Sequence, residues 1–384
     1  MIWIEPLRWI DKYAFGMLTL LLGPPVKAFS SKERPGKIEK VLLIKLWAIG
    51  DAVLTLPLVR GIRNRYPAAR IDILCHKANR AVFEASDDVD GVIEIGAGNL
   101  AGLFRKYDVC FDTEPFLNLS ALIAAFSAKW RVGYHNRLRW LFYDRTVSAE
   151  ADGHIVEKYL EMGRYIEAEG ERKLVPLRCC DGARKTVEGM LGPRRGSGMD
   201  FLVGFCASVG NSVKARQWPK ENFRELATRI LGEEENARII LTGTEEDVPL
   251  NEFIRDGRPR ILNLSGKVGL EELFCLVATM RIFLSNDTGP MHVAAAQGVP
   301  TLGLFGPSSP VLWRPYGDRN GFLYRGEEVC CLAPCNVPQK GLVRECSLKG
   351  DEKDICIRTI TVDEVYRKYR ELTGRSERGE SGES

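Results

Sequence analysis

Ser285-Asn286-Asp287-Thr288-Gly289-Pro290-Met291-His292, followed by Val293-Ala294-Ala295-Ala296, is the stretch on which the reading of this chain turns. The run Arg281–Leu284 before it reads as a strand, and 298–306 after it reads as a turn plus a second strand. Between them small residues spell a short helix. Asp287 or Thr288 suits its cap, and Pro290 suits its first turn, where the missing N–H leaves no bond unmade. A helix that starts at the carboxyl end of a strand aims free N–H groups into a crevice, and such groups bind phosphate. An ordinary strand–loop–helix unit would use the same residues for capping alone, so partner motifs elsewhere must decide.

The chain of 384 residues is long enough for two domains. Apolar content of 45% and charged content of 27% are those of a globular protein. A net charge of +3 leaves no footprint for a nucleic-acid partner, and none is expected. Among the eleven cysteines, Cys75, Cys110, Cys206 and Cys275 sit in apolar contexts that suit packed thiols, while Cys330, Cys331, Cys335, Cys346 and Cys356 crowd into one loop-rich stretch. No cleavable signal peptide is read, which points to a reducing cytoplasm.

Met1–Leu22 mixes Trp3, Trp9, Tyr13, Phe15 and the run 17–22 with Arg8, Asp11 and Lys12, and ends at Gly23-Pro24-Pro25. Its unbroken apolar run is too short to span a bilayer. The pattern suits a helix lying in a membrane interface, with peripheral attachment to the inner face of the inner membrane. A helix packed on the protein's own surface is the other reading.

Strands are expected at 41–46, Ile71–Leu74, Val92–Ile95 and Val109–Phe111, with a loop at Trp47–Asp51 and a helix from Ala52 to Tyr66. A second strand–helix series begins at Phe201–Cys206 and continues through Glu221–Leu231, Ala237–Leu241, Leu270–Met280 and the 281–306 unit. The predicted division is 1–38 as interfacial helix and linker, 39–170 and 201–373 as two α/β domains, 171–200 as their connection, and 374–384 as a disordered tail. Alternating strands and helices indicate parallel sheets covered on both faces.

Three further stretches carry chemistry. Gly50-Asp51 follows the first strand, and a carboxylate at a strand end facing a crevice suits a general base toward a hydroxyl; a plain helix cap is the alternative. Ser208, Lys214 and Arg216 lie in a loop after the first strand of the second domain, where two cations suit a diphosphate, or form a solvated basic loop. Glu245-Glu246 ends another strand, and one of these acids suits ribose hydroxyls, although acids commonly begin helices.

In this order the motifs resemble the lipopolysaccharide heptosyltransferase family, glycosyltransferase family 9, with the two-domain GT-B architecture. The match spans roughly 39–370 and rests on Gly50-Asp51…Leu56-Pro57, Arg216-Gln217-Trp218-Pro219, Asn286–His292, and Gly306-Pro307-Ser308-Ser309-Pro310 with Trp313-Arg314-Pro315-Tyr316-Gly317. The resemblance implies two Rossmann-like α/β domains facing a central cleft, the first on the acceptor side and the second holding a nucleotide-sugar donor. It implies inverting transfer, typically of heptose from ADP-heptose to a lipid-linked glycan of the lipopolysaccharide core, without a catalytic metal. Carried over by position, Asp51 resembles the base beside Gly50, and Arg216 the phosphate-binding cation. Asp287, Thr288 and Gly289, with His292 nearby, resemble the donor loop, and Glu246 falls near the ribose contact. Two departures stand out. Cys206-Ala207-Ser208 replaces a His-Pro-Gly-like sequence, and Trp47 replaces a small residue.

Cys331-x3-Cys335-x10-Cys346-x9-Cys356 offers four thiolates to a structural zinc or iron, but lacks a tight C-x2-C pair; unligated thiols or an adventitious disulfide are the alternative. The rival functions are a GT-B transferase with another nucleotide sugar or acceptor, protein included, an epimerase, and a non-catalytic membrane-associated nucleotide-sugar-binding protein.

Overall fold

The computed structural model describes residues 9–31, 33–150, 153–192, 201–210, 213–337 and 345–374. Trp3 and Arg8, residues 193–200 and the tail 375–384 lie outside them. The chain divides after Arg178 into two units.

The first unit is a six-stranded parallel sheet. Its strands are β1 (Lys40–Lys45), β2 (Arg70–Cys75), β3 (Gly91–Glu94), β4 (Tyr107–Asp112), β5 (Ala128–His135) and β6 (Arg145–Ser148), in the order β3-β2-β1-β4-β5-β6. Val41, Leu42, Leu43 and Ile44 are all buried, because a central parallel strand is covered on both faces and has no solvent side to alternate toward. The main helices are α1 (Gly16–Ala28), α2 (Ile49–Arg65), α3 (Asn118–Ser127) and α4 (Ile155–Arg164).

The second unit repeats the plan. Its strands are β7 (Phe201–Cys206), β8 (Ala237–Leu241), β9 (Ile261–Asn263), β10 (Ile282–Asn286), β11 (Thr301–Phe305) and β12 (Gly321–Tyr324), in the order β12-β11-β10-β7-β8-β9, again all parallel. Its main helices are α5 (Asp181–Leu191), α6 (Lys220–Glu233), α7 (Leu270–Ala278), α8 (Gly289–Ala296) and α9 (Val362–Leu372). In both sheets the strand order reverses beside the first strand, between β1 and β4 and between β7 and β10. Loops leaving such a pair diverge and open a crevice at the strands' carboxyl ends. Each unit therefore carries one switch point. Gly50-Asp51, the loop carrying Ser208 and Arg216, and Asp287-Thr288-Gly289 follow the strands at these points, whereas Glu246 follows β8 and the cysteine cluster follows β12.

Three details depart from expectation. The helix after β1 begins at Ile49, not Ala52, so Asp51 lies in its first turn. Ala48 stands at its N-cap with φ 62° and ψ 131°, a positive-φ conformation that residues with a Cβ rarely adopt. Second, β5 and β6 carry Lys129, Arg131 and Arg145, which mask their strand pattern; Arg131 is buried only because Asp144 pairs with it at 2.9 Å. Third, Cys275 is not a packed thiol but is bonded to Cys179, joining the segment before α5 to α7, whereas Cys75, Cys110 and Cys206 are buried thiols.

Before α1 the chain makes one wide turn, Asp11–Phe15. The Asp11 carboxylate accepts the N–H groups of Asn118 and Leu119 at 3.0 and 2.9 Å, capping α3 from another helix. Gly23 lets α1 approach Leu141, whose side chain would lie 2.8 Å from an added Cβ. The segment is thus packed on its own unit along one side. Trp9, Tyr13, Met17, Leu20 and Leu21 stay exposed on the other, at spacings that form one stripe. No helix among the described residues is long and apolar enough to cross a membrane.

Candidate active site

At the switch point of the second unit, β10 delivers Asn286, Asp287 and Thr288 to the start of α8. Asn286 is fully buried and acts as a tie. Its Oδ1 accepts the Trp218 N–H at 3.0 Å and its Nδ2 donates to Ala207 O at 2.8 Å, joining this loop to the one that leaves β7. Thr288 is the N-cap residue, but its hydroxyl is engaged with Ser285 Oγ at 3.1 Å and makes no cap bond. With Pro290 next in line, the first turn of α8 presents its dipole end without a side-chain oxygen closing it.

Arg216 comes to the same place from the loop after β7. Its guanidinium lies 3.5 Å from the Asp287 carboxylate, and both side chains are largely buried. The pair fixes a cation beside the α8 start. Asp287 acts there as the arm that orients Arg216. Lys214 is exposed, with Nζ donating to Gly210 O at 3.0 Å, and Glu345 accepts the backbone N–H groups of Lys214 and Ala215. Ser208 is buried and its Oγ accepts the Gly210 N–H, so it shapes the loop. Glu246 is exposed in the short turn after β8, while its neighbour Asp247 is buried and receives the Thr244 N–H and hydroxyl at 2.8 and 2.9 Å. His292 is buried within α8, and burial pushes its imidazole down to about 4, so it is neutral at pH 7. The structure brings Arg216, Asp287, Thr288 and Gly289 together and places His292 beneath them.

At the switch point of the first unit, Gly50 is buried and Asp51 is partly exposed, 23% of its side chain reaching solvent. Behind it lies Lys45, with Nζ 3.5 Å from Asp51 Oδ2 and 3.3 Å from Glu114 Oε1. The same Glu114 oxygen accepts the N–H groups of Leu46 and Trp47 at 2.7 and 3.0 Å. Trp47 is 37% exposed and its ring lies parallel to His76 at 6.3 Å. The arrangement offers one carboxylate at the surface with a buried cation beneath it.

The family profile of glycosyltransferase family 9 (heptosyltransferase) matches residues 102–339, more than half of the sequence. The chain belongs to glycosyltransferase family 9. Lipopolysaccharide heptosyltransferase 2 of Salmonella typhimurium is 28% identical over 304 residues, which cover 73% of this chain and 86% of that protein. Among solved structures, a family 9 glycosyltransferase from Veillonella parvula superposes with a TM-score of 0.69 at 20% identity, covering 91% of this chain and all of that one. The ADP-heptose lipopolysaccharide heptosyltransferase II of E. coli gives 0.66 at 22%, covering 88% and 99%. At these identities the structural likeness establishes the fold, the two-domain α/β architecture of GT-B enzymes.

In this family 9 glycosyltransferase the cysteine-rich segment assembles differently from its sequence spacing. Cys330, Cys335, Cys346 and Cys356 line one cavity of about 10 Å³ with Ala215 and Pro307, whereas Cys331 is exposed and does not. Burial, and then the nearby Cys330, Cys335 and Cys346, push the Cys356 thiol up to about 12. The four thiols suit zinc or iron by their chemistry. As placed, no group of three or more His, Cys, Asp or Glu among the described residues is arranged to hold a metal ion.

Sequence reasoning passed over two residues of the glycosyltransferase's first unit, Lys45 and Glu114. The signal was present: a lysine closing an otherwise apolar strand must be paired if that strand is buried. Its partner, 69 positions on, is set by β1 pairing with β4 and cannot be read locally.

Proposed function

We propose that this glycosyltransferase transfers heptose from ADP-heptose to a hydroxyl of a lipid-linked lipopolysaccharide core glycan, with inversion. The observation that carries the donor half is the Arg216–Asp287 pair fixed beside the open start of α8. A guanidinium and a helix start suit a diphosphate and stabilise the charge that develops as it leaves. Heptose and ADP are supported by the names of the relatives above. In the transfer, Asp51 takes the proton of the acceptor hydroxyl and the oxygen forms its bond to the anomeric carbon. The bond from that carbon to the donor oxygen breaks on the opposite face, and its electron pair leaves with the nucleoside diphosphate.

The donor site is tested by titrating ADP-heptose, with UDP- and GDP-sugars as controls, by calorimetry. Arg216→Ala should weaken ADP-heptose binding by about 10–100-fold, the loss typical of a charge-assisted bond. Asp287→Ala should weaken it by a smaller factor, since the guanidinium persists but is no longer held. Unchanged affinity in both variants refutes the diphosphate site.

The acceptor assignment goes with a membrane partner and a peripheral location on the inner face of the inner membrane. Support comes from the exposed stripe Trp9, Tyr13, Met17, Leu20 and Leu21, which carries aromatic rings at one end and aliphatic bulk at the other. Because Asp11 and Gly23 dock this segment on the first unit, removing it would strip a cap from α3, so substitution is the cleaner probe. Leu20→Glu/Leu21→Glu should lower binding to anionic phospholipid vesicles at least about 10-fold, given the apolar area lost. Activity on a lipid-free acceptor should be unaffected. Equal vesicle binding by the variant and the parent protein removes the membrane reading. For the cysteine-rich segment, the structural zinc or iron expected on Cys331, Cys335, Cys346 and Cys356 is proposed instead on Cys335, Cys346 and Cys356 with Cys330, the cysteines that line one cavity, and it takes no part in the step above.

A further inference from the structure

Lys45 is buried to 1% exposure at the carboxyl end of β1, where an unpaired ammonium would be strongly disfavoured by the loss of its hydration. Glu114, equally buried, supplies the compensating charge at 3.3 Å. Glu114 is itself fixed, because its Oε1 also receives the N–H groups of Leu46 and Trp47. Those two residues lead directly into Ala48, whose φ of 62° with ψ of 131° is a backbone state that residues with a Cβ rarely occupy. One carboxylate therefore clamps both the buried cation and the strained turn from which α2 starts. Asn79 completes the support, its Nδ2 donating to the Lys45 carbonyl at 3.1 Å.

With Glu114 satisfying its charge, the second contact of Lys45 is directed at Asp51, 3.5 Å away and reaching solvent. The other titratable groups around this cation are the buried hydroxyls of Tyr134 on β5 and Tyr159 on α4, whose ring centre lies 6.0 Å from Nζ; burial pushes both phenols up, so they are neutral at pH 7. On the far side of Glu114, Arg139 is engaged with Asp112 at 2.8 Å.

We propose that Lys45, braced by Glu114, is the positioning residue of this enzyme: it holds the Asp51 carboxylate toward the acceptor and favours its ionised, proton-accepting form. The inference rests on the reading of Asp51 as the base. Lys45 gives up no proton in the step; it stays cationic while Asp51 goes from charged to neutral. Holding the base costs some of its basicity, and what is gained is a fixed direction and full ionisation at lower pH.

The test is Lys45→Met in the full chain, with turnover measured against pH at saturating ADP-heptose and acceptor. Removal of the cation should raise the pH at which Asp51 loses its proton, so the acid limb of kcat should move up by about one pH unit. At the optimum kcat should fall about 10–100-fold while KM for the donor stays the same. Where Lys45→Met leaves Glu114 too exposed to repulsion to fold, Lys45→Gln still hydrogen-bonds Glu114 and should move the limb in the same direction. A purely structural role would reduce the folded fraction without moving the limb. An unmoved acid limb in a folded variant, or wild-type kcat, overturns the inference. Near-normal turnover of Asp51→Asn would instead overturn the base assignment, and this inference with it.

Discussion

Asp51→Asn is expected to cut turnover by about 10²–10⁴-fold, the usual contribution of a positioned general base, while ADP-heptose affinity stays within about twofold. The asymmetry follows from where the residue sits. Asp51 stands on α2 of the first unit, whereas Arg216, Asp287 and the start of α8 belong to the second. Asparagine keeps the shape and accepts a hydrogen bond through its amide oxygen, but cannot take a proton, so the folded protein should survive. The substitution also leaves Lys45 paired with Glu114 alone, a balanced pair, which argues against a large loss of stability. Single-turnover transfer and donor calorimetry on the same preparation separate the two effects. A variant turning over at a tenth of the parent rate or better would reduce Asp51 to the first-turn acid of a helix, where it favours the macrodipole and no more.

Trp218→Ala should give the largest loss of stability, about 3–5 kcal/mol, seen as a fall of roughly 6–20 °C in the melting temperature of the second unit. The indole is fully buried in the second unit's core, edge-on to Phe223 with ring centres 4.9 Å apart, and its Nε1 donates to Ile360 O at 2.8 Å. Truncation leaves a cavity and an unmet carbonyl near the start of α9. Its backbone N–H still reaches Asn286, so the hydrogen-bonded link between the β7 and β10 loops persists. Donor affinity, measured well below the melting temperature, should therefore fall less than in Arg216→Ala. Differential scanning calorimetry reads the first quantity. A shift under about 2 °C would mean that the core closes over the gap, contrary to the rigidity expected of a packed interior.

These two residues show how differently a site and a core are written in a sequence. Asp51 and the Asn286–Gly289 loop are legible because each lies within a few residues of a strand it follows, and turn chemistry is local. Arg216 is legible as a cation near Trp218, but that Asp287 holds it is not, since the two are 71 positions apart. His292 reads as a ligand by its place in the motif, yet α8 turns it inward, where burial makes it neutral. Cys331 reads as a thiolate donor by spacing, but it is Cys330 that faces Cys335, Cys346 and Cys356.

The α/β class is legible in the sequence alone, because apolar strand runs alternating with helix-length segments favour a parallel sheet covered on both faces. The loops at the two switch points are legible to within a few residues: β10 runs on through Ser285 and Asn286, two residues past its apolar run, and α2 begins at Ile49 inside the expected loop. The tertiary structure decided the rest. Strand pairing brings Glu114 under Lys45 and ties Asn286 to Ala207 and Trp218, while helix packing brings Cys179, just before α5, to Cys275 on α7. It also buries a charge wherever a distant partner can neutralise it. Those choices depend on register and packing across dozens of residues, and the energy that settles them, desolvation against pairing, exists only once the sheet has formed.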